Sequence, residues 1–207
     1  DALGEETRHS FGLRSYGALG RLTYNSELIF QTGELNDSDV FAYNFEADWK
    51  YRLSDVGWKP QVGLKLDWSS GDQEPGDNKI GTFNPTFVNP GIYSLASINT
   101  PANMTSLHPN VSISPAEGLY VYLEYAFFYR TQTADGFYRP PRFLSRPAAS
   151  SEEKSLGETL GLLINYEISR NMSFDVVTYF FISGGFIEET GESENISFIA
   201  PTLSFKF

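Results

Sequence analysis

Residues 40–53 read VFAYNFEADWKYRL, and this stretch decides the fold class. Phe41, Tyr43, Phe45, Ala47, Trp49, Tyr51 and Leu53 share one parity. Ala42, Asn44, Glu46, Asp48, Lys50 and Arg52 share the other. Successive side chains of a strand point to opposite faces, so this stretch has one oily face and one charged face. A helix would need apolar residues at spacings of three and four, and that period is nearly absent along the chain. Strands of a soluble sandwich are typically about 5–6 residues long. The alternation here runs past the roughly 9–11 residues with which a tilted strand crosses a bilayer.

The same pattern recurs on both sides of this stretch. Segments are expected at 8–16, 21–31, 40–53, 58–69, 104–114, 119–132, 156–168, 172–183 and 196–207. In the first, Phe11 and Leu13 oppose Arg14 and Tyr16; in the fourth, Val62, Leu64, Leu66 and Trp68 oppose Gln61, Lys65 and Asp67. The connections alternate between a short set (17–20, 54–57, 115–118, 169–171) and a long set (32–39, 70–103, 133–154, 184–195). Outer-membrane barrels have this asymmetry, with short periplasmic turns and longer extracellular loops. The expected fold is therefore all-β, an antiparallel transmembrane barrel with about nine strands in this chain. Residues 1–207 are read as a single barrel domain, with 70–103 and 133–154 as its long extracellular loops.

Composition agrees. Aromatic residues make up 15% of the chain, as aromatic girdles at two membrane interfaces require. Trp49, Trp58 and Trp68 are the expected interface anchors. Mean hydropathy is only −0.28, but alternation averages away the apolar face of a barrel strand. Cysteine is absent, which removes disulfides and thiolate chemistry. The net charge of −11 argues against nucleic acid as a partner. The partners expected instead are the lipid bilayer with its lipopolysaccharide and a hydrophilic solute. The location implied is the bacterial outer membrane.

Residues 65–91 carry a more specific signal. Ser70-Gly71-Asp72, the acidic run to Asp77, and Gly81-Thr82-Phe83-Asn84-Pro85-Thr86-Phe87 resemble the alginate export family of outer-membrane barrels. The match continues through Leu107-His108-Pro109, residues 111–115, Asp135-Gly136-Phe137-Tyr138 and the closing Lys206-Phe207. The resemblance implies a barrel of about eighteen strands, an even number as bacterial barrels have. Nine strands would then be the C-terminal half, completed by another polypeptide or by a missing N-terminal half. It also implies polysaccharide export, with a pore rich in Arg and Lys where the cargo is a polyuronate. Here the inner wall is balanced and the loops are acidic.

Candidate site residues follow from the inward parity. Arg14, Arg21, Glu27, Glu46, Asp48, Lys50, Arg52, Lys65, Asp67, Glu124, Arg130 and Glu167 are expected to line the lumen and set selectivity. Cross-strand charge pairs that stabilise the wall are the alternative reading of the same residues. Phe83, Pro85 and Phe87 are expected to fold the long loop inward as a constriction. Asp72, Glu74 and Asp77 offer hard oxygens to Ca²⁺, although they do not fit an EF-hand, and no other metal or cofactor is expected. Tyr120 and Tyr122 face inward and could stack on sugars. His108 stands near Ser106 and Ser112, but nothing marks a nucleophile, so no catalysis is expected. Two functions are open on these residues: a channel for a hydrophilic solute, possible cargo including a polysaccharide, or a plugged structural barrel within a larger envelope complex.

Overall fold

The structure, a computed structural model, describes residues 4–55, 57–86, 98–149 and 151–207. In chain order its elements are β1 (Glu6–Leu19), β2 (Leu22–Leu35), β3 (Ser38–Arg52), β4 (Gln61–Ser69), β5 (Lys79–Ile80), β6 (Met104–Ala116) and β7 (Leu119–Arg130). They continue with β8 (Phe137–Arg139), β9 (Phe143–Arg146), β10 (Ser155–Ser169), β11 (Met172–Ser183), α1 (Gly185–Glu189) and β12 (Ile196–Phe205). Each of the nine expected segments is a strand. They pair antiparallel in the order β1-β2-β3-β4-β6-β7-β10-β11-β12, an uninterrupted meander.

The tight turns explain the register. Leu19 faces Leu22 and Ala116 faces Leu119 across two-residue turns, in which Gly20 and Gly118 take positive φ (61° and 73°). Such hairpin turns need left-handed residues, because their twist must match that of the strands. One expected loop is absent. Residues 32–39 were expected to be a long connection, yet β2 runs to Leu35 and β3 starts at Ser38, with Asn36 at φ 52° in the turn. Gly33, Glu34 and Asp39 are polar because the hairpin extends beyond its apolar stretch, not because the chain leaves the sheet. The fourth strand also begins later than residue 58, at Gln61, which leaves Trp58 exposed in the preceding turn.

Among the described residues the sheet is not closed on itself. β1 pairs only with β2, and β12 only with β11. Of the expected fold, the described residues show one open antiparallel sheet and not the closure of a barrel.

Burial is inverted relative to a soluble sandwich. Along β3, Phe41 is 62% exposed while Ala42 is fully buried and Asn44 is 1% exposed. Phe11, Leu13, Trp49, Trp68, Leu123, Leu160 and Leu203 are exposed. Gln31, Asp67, Ser106, His108, Asn110, Ser112, Glu124 and Thr159 are buried. The sheet turns its apolar side outward and covers its polar side.

The covering comes from the long connections. A small apolar cluster joins Met104 on β6, Ala126 and Phe128 on β7 and Leu156 on β10 to Phe137 on β8 and to Phe186 and Ile187 on α1. It sits at the long-loop end, where β8 and α1 fold against the sheet. β5 returns to pair in parallel with β3 through Asp39–Lys79 and Val40–Ile80.

Candidate functional site

Strand register assembles the polar wall. In one row across the inner face, Arg14 stands opposite Glu27, Glu27 opposite Glu46, Glu46 opposite Asp67, and Asp67 opposite Ser106. In the next, Asn25 faces Asp48, Asp48 faces Lys65, and Lys65 faces His108. Polar residues on successive strands of the meander therefore become direct neighbours. A cavity of about 90 Å³ opens between these rows, lined by Asn25, Glu27, Glu46, Asp48, Lys65, Asp67 and His108.

The basic side chains of this wall are engaged. Lys65 Nζ lies 2.9 Å from Glu124 Oε2, which also accepts from the Tyr122 hydroxyl at 2.5 Å. Lys65 also stands over the Tyr122 ring. Lys50 pairs with Asp48 at 3.1 Å. Arg14 Nε donates to Asn25 Oδ1 at 2.8 Å. Asp67 is held by Asn44 and Ser69, which each donate at 2.8 Å. His108 is 1% exposed; its Nε2 lies 2.8 Å from Ser106 Oγ and its Nδ1 lies 3.2 Å from Glu124 Oε1. Serine, histidine and glutamate thus stand in sequence, but Ser106 has no exposed surface, and the arrangement presents no nucleophile to a substrate.

The second half of the site is the long loop after β4. Gln31 on β2 donates to the Asn84 carbonyl at 2.7 Å and accepts from the Asn84 N–H at 2.9 Å. Arg8 on β1 donates to Thr82 O at 3.1 Å. The loop therefore crosses the polar face of β3 and is tied to β2 and β1. From the other side, Asp135 Oδ2 accepts from the Asp72 N–H at 2.9 Å and from the Thr82 hydroxyl at 2.6 Å. Of the residues expected to form a constriction, Phe83 and Pro85 are buried, and Phe87 lies outside the described residues. Burial raises the Asp72 carboxyl above its ordinary range, and the neighbouring charges of Asp135 and Asp77 add to this.

Several expected site residues stand elsewhere. Arg130 does not line open space. It is 1% exposed and donates to the carbonyls of Thr133, Asp135, Ser151 and Glu153, with its guanidinium 3.8 Å from the centre of the Phe186 ring. Its sequence signal was parity alone, and parity cannot tell a lumen from a loop folded into it. Arg52 does not join Lys50; it turns to Asp55 at 3.1 Å, where Arg21 also reaches at 3.6 Å. Both hold the short turn after β3 at the far end of the wall. Glu167 is at that end too, in an open groove with Lys59, Tyr120 and Asn165. Asp72, Glu74 and Asp77 do not converge: among the described residues no group of three acidic or imidazole side chains could hold a metal. Asp72 and Asp77 instead accept backbone N–H groups of their own loop. Sequence reasoning missed three anchors of the folded-in loops: Gln31, Asp135, and Asn103, whose amide donates to the Gln132 and Gly136 carbonyls at 3.0 and 2.9 Å. Single polar residues in loops carry no periodicity that would mark them.

No curated protein matches the chain. The family model for alginate export matches residues 1–199, almost its whole length. With this match the chain belongs to the alginate export family.

Proposed function

We propose that the sheet is part of the wall of an outer-membrane β-barrel through which a hydrophilic solute, a polysaccharide by family, passes without chemistry. The observation that carries this reading is the inverted burial: apolar side chains on the exposed face, polar and ionised ones on the covered face. A lipid-facing wall with a watered interior has this distribution. No helix among the described residues is long and apolar enough to cross a membrane, which says nothing about strands.

The open edges support a partner. In lipid every backbone N–H and C=O must be satisfied, at several kcal/mol for each group left bare. Nine antiparallel strands run alternately up and down, so β1 and β12 run the same way. Direct closure of β12 on β1 would make a parallel seam. An odd number of further strands, supplied by another stretch of polypeptide, keeps every seam antiparallel and the total even. The folded-in loop favours a second reading, a plugged barrel with a structural role in the envelope. Single-channel recording on the assembled barrel separates the two. Transport predicts steady conductance, which increases when residues 74–80 are deleted. A barrel that stays silent with and without that segment sinks the transport reading.

A further inference from the structure

Resting on the reading that further strands complete the barrel, we infer that the β8–β9 hairpin and the start of β1 form one docking face for those strands, and that the strands present an inward carboxylate to it. Among the described residues β1 pairs only with β2, so the main-chain groups on its far side need a partner in lipid. The hairpin reaches that same edge. It leaves the sheet between β7 and β10 and passes β6, β4, β3 and β2, yet Arg142 Nη2 in its turn lies 3.7 Å from Glu6 Oε2 on β1. Glu6 and Arg8 share the parity of Arg14, the polar side of the sheet. The hairpin therefore crosses the inside of the wall and ends beside the bare strand.

Charge at this face does not balance. Arg8 donates through Nε to Glu6, and through Nη1 to Gln31 and the Thr82 carbonyl at 2.9 and 3.1 Å. Its Nη2 has no hydrogen-bond partner, although the side chain is only 8% exposed. Glu6 is shared between Arg8 and Arg142, which stand close enough to repel one another. Arg139, exposed on β8, has no ion pair among the described residues. Asp135 at the base of the hairpin is already taken by the N–H groups of Asp72 and Gly136 and by the hydroxyls of Thr82 and Tyr138. Three guanidiniums thus share one carboxylate, in a chain whose net charge is −11. A covered cationic donor without an acceptor is costly, and a carboxylate satisfies both its charge and its fork geometry. The next two residues add an apolar need. Phe143 and Leu144 are 68% and 50% exposed. They do not belong to the lipid-facing wall, because the same hairpin packs Phe137 against Met104 and Phe128 on the polar side of the sheet. Left bare, they would face the water of the channel, and a wall of polypeptide removes that contact. A strand with an Asp or Glu facing inward pairs β1, neutralises the guanidiniums and covers Phe143 and Leu144 together.

The test is photo-crosslinking in the assembled, purified barrel, with benzoylphenylalanine in place of Phe143 and, separately, of Leu144. Both side chains are exposed, so at least one variant should assemble. Irradiation should yield an adduct to a peptide outside residues 1–207, and the strand that carries it should hold an Asp or Glu on its inward parity. Charge exchange then reads the electrostatic part. Arg8→Glu should lower the yield of heat-modifiable barrel by on the order of tenfold, the scale of breaking a buried charge pair. Arginine in place of the carboxylate on the crosslinked strand should restore most of that yield, which a role of Arg8 confined to its own chain would not allow. Adducts confined to residues 1–207 of the same or a second copy, no adduct from either position, a crosslinked strand without an inward Asp or Glu, or no recovery on exchange each overturn the inference and leave the channel reading intact. Residues 1–207 inserting and conducting with no other polypeptide would sink closure by further strands, and this inference with it.

Discussion

Arg130 shows how one residue can hold an end of the molecule. Its guanidinium has five donors in a rigid fork and here serves four carbonyls from one loop, with Phe186 beneath it. The geometry is planar, and an ammonium cannot copy it. Arg130→Ala would leave buried carbonyls without donors. The expected cost is about 3 kcal/mol, the scale of lost hydrogen bonds to a charged group. Arg130→Lys should recover only part of it. Urea unfolding in detergent reads both, and limited proteolysis within residues 131–154 should speed up in the same order. A loop equally resistant in Arg130→Ala would show that the cluster around Phe186 suffices alone. The charge of Arg130 was legible in the sequence, because it fell on the polar parity of a long strand. Its role was not, because its partners are backbone carbonyls between 3 and 23 residues downstream, and a carbonyl has no letter in the sequence.

The elements divide in the same way. The nine long strands were legible because alternation over many residues is a repeated signal, and each repeat adds evidence. β5, β8, β9 and α1 were not: they are two to five residues long and have no period to read. β10 holds a local feature that no pattern reveals. Its pairing with β7 slips between Ser155 and Gly157, and Gly157 has φ 139°. A Cβ at Gly157 would sit 2.3 Å from the Ile182 carbonyl. Such a bulge bends the strand and ends its regular pairing where the loops begin. Gly157→Ala is therefore expected to destabilise the sheet by about 1–3 kcal/mol, the usual cost of a side chain in forbidden backbone space. The denaturation midpoint measures this. A matched substitution at Gly20, whose Cβ would meet nothing within 4 Å, should cost less. Equal losses at both positions would refute the steric account.

The whole molecule poses the question of solvent. Leu123 is 42% exposed in the outward row that joins it to Val111 and Leu162. On a soluble sheet, Leu123→Arg would be a surface change worth within about 0.5 kcal/mol. On a membrane wall the same change costs about 2–4 kcal/mol near the bilayer midplane. Refolding into lipid vesicles should fall accordingly, while inward Ser112→Arg should not show the same dependence on lipid. Leu123→Arg refolding as well as the parent chain would remove the membrane reading of the outer face.

Alternation, strand number and the acidic balance of the loops are properties of the sequence by itself. They follow from the two-residue period of a strand and from counting charges, and neither needs contacts between distant residues. Tertiary structure alone decided which charges meet. Register set Glu27, Glu46 and Asp67 side by side, and it gave Lys65 to Glu124 on a strand far along the chain. It also turned the loop after β4 across the polar face, onto Gln31 and Arg8. The physical reason is the same in each case. Period is a local property, whereas register and loop docking are fixed by the best total pairing of groups that the sequence keeps apart.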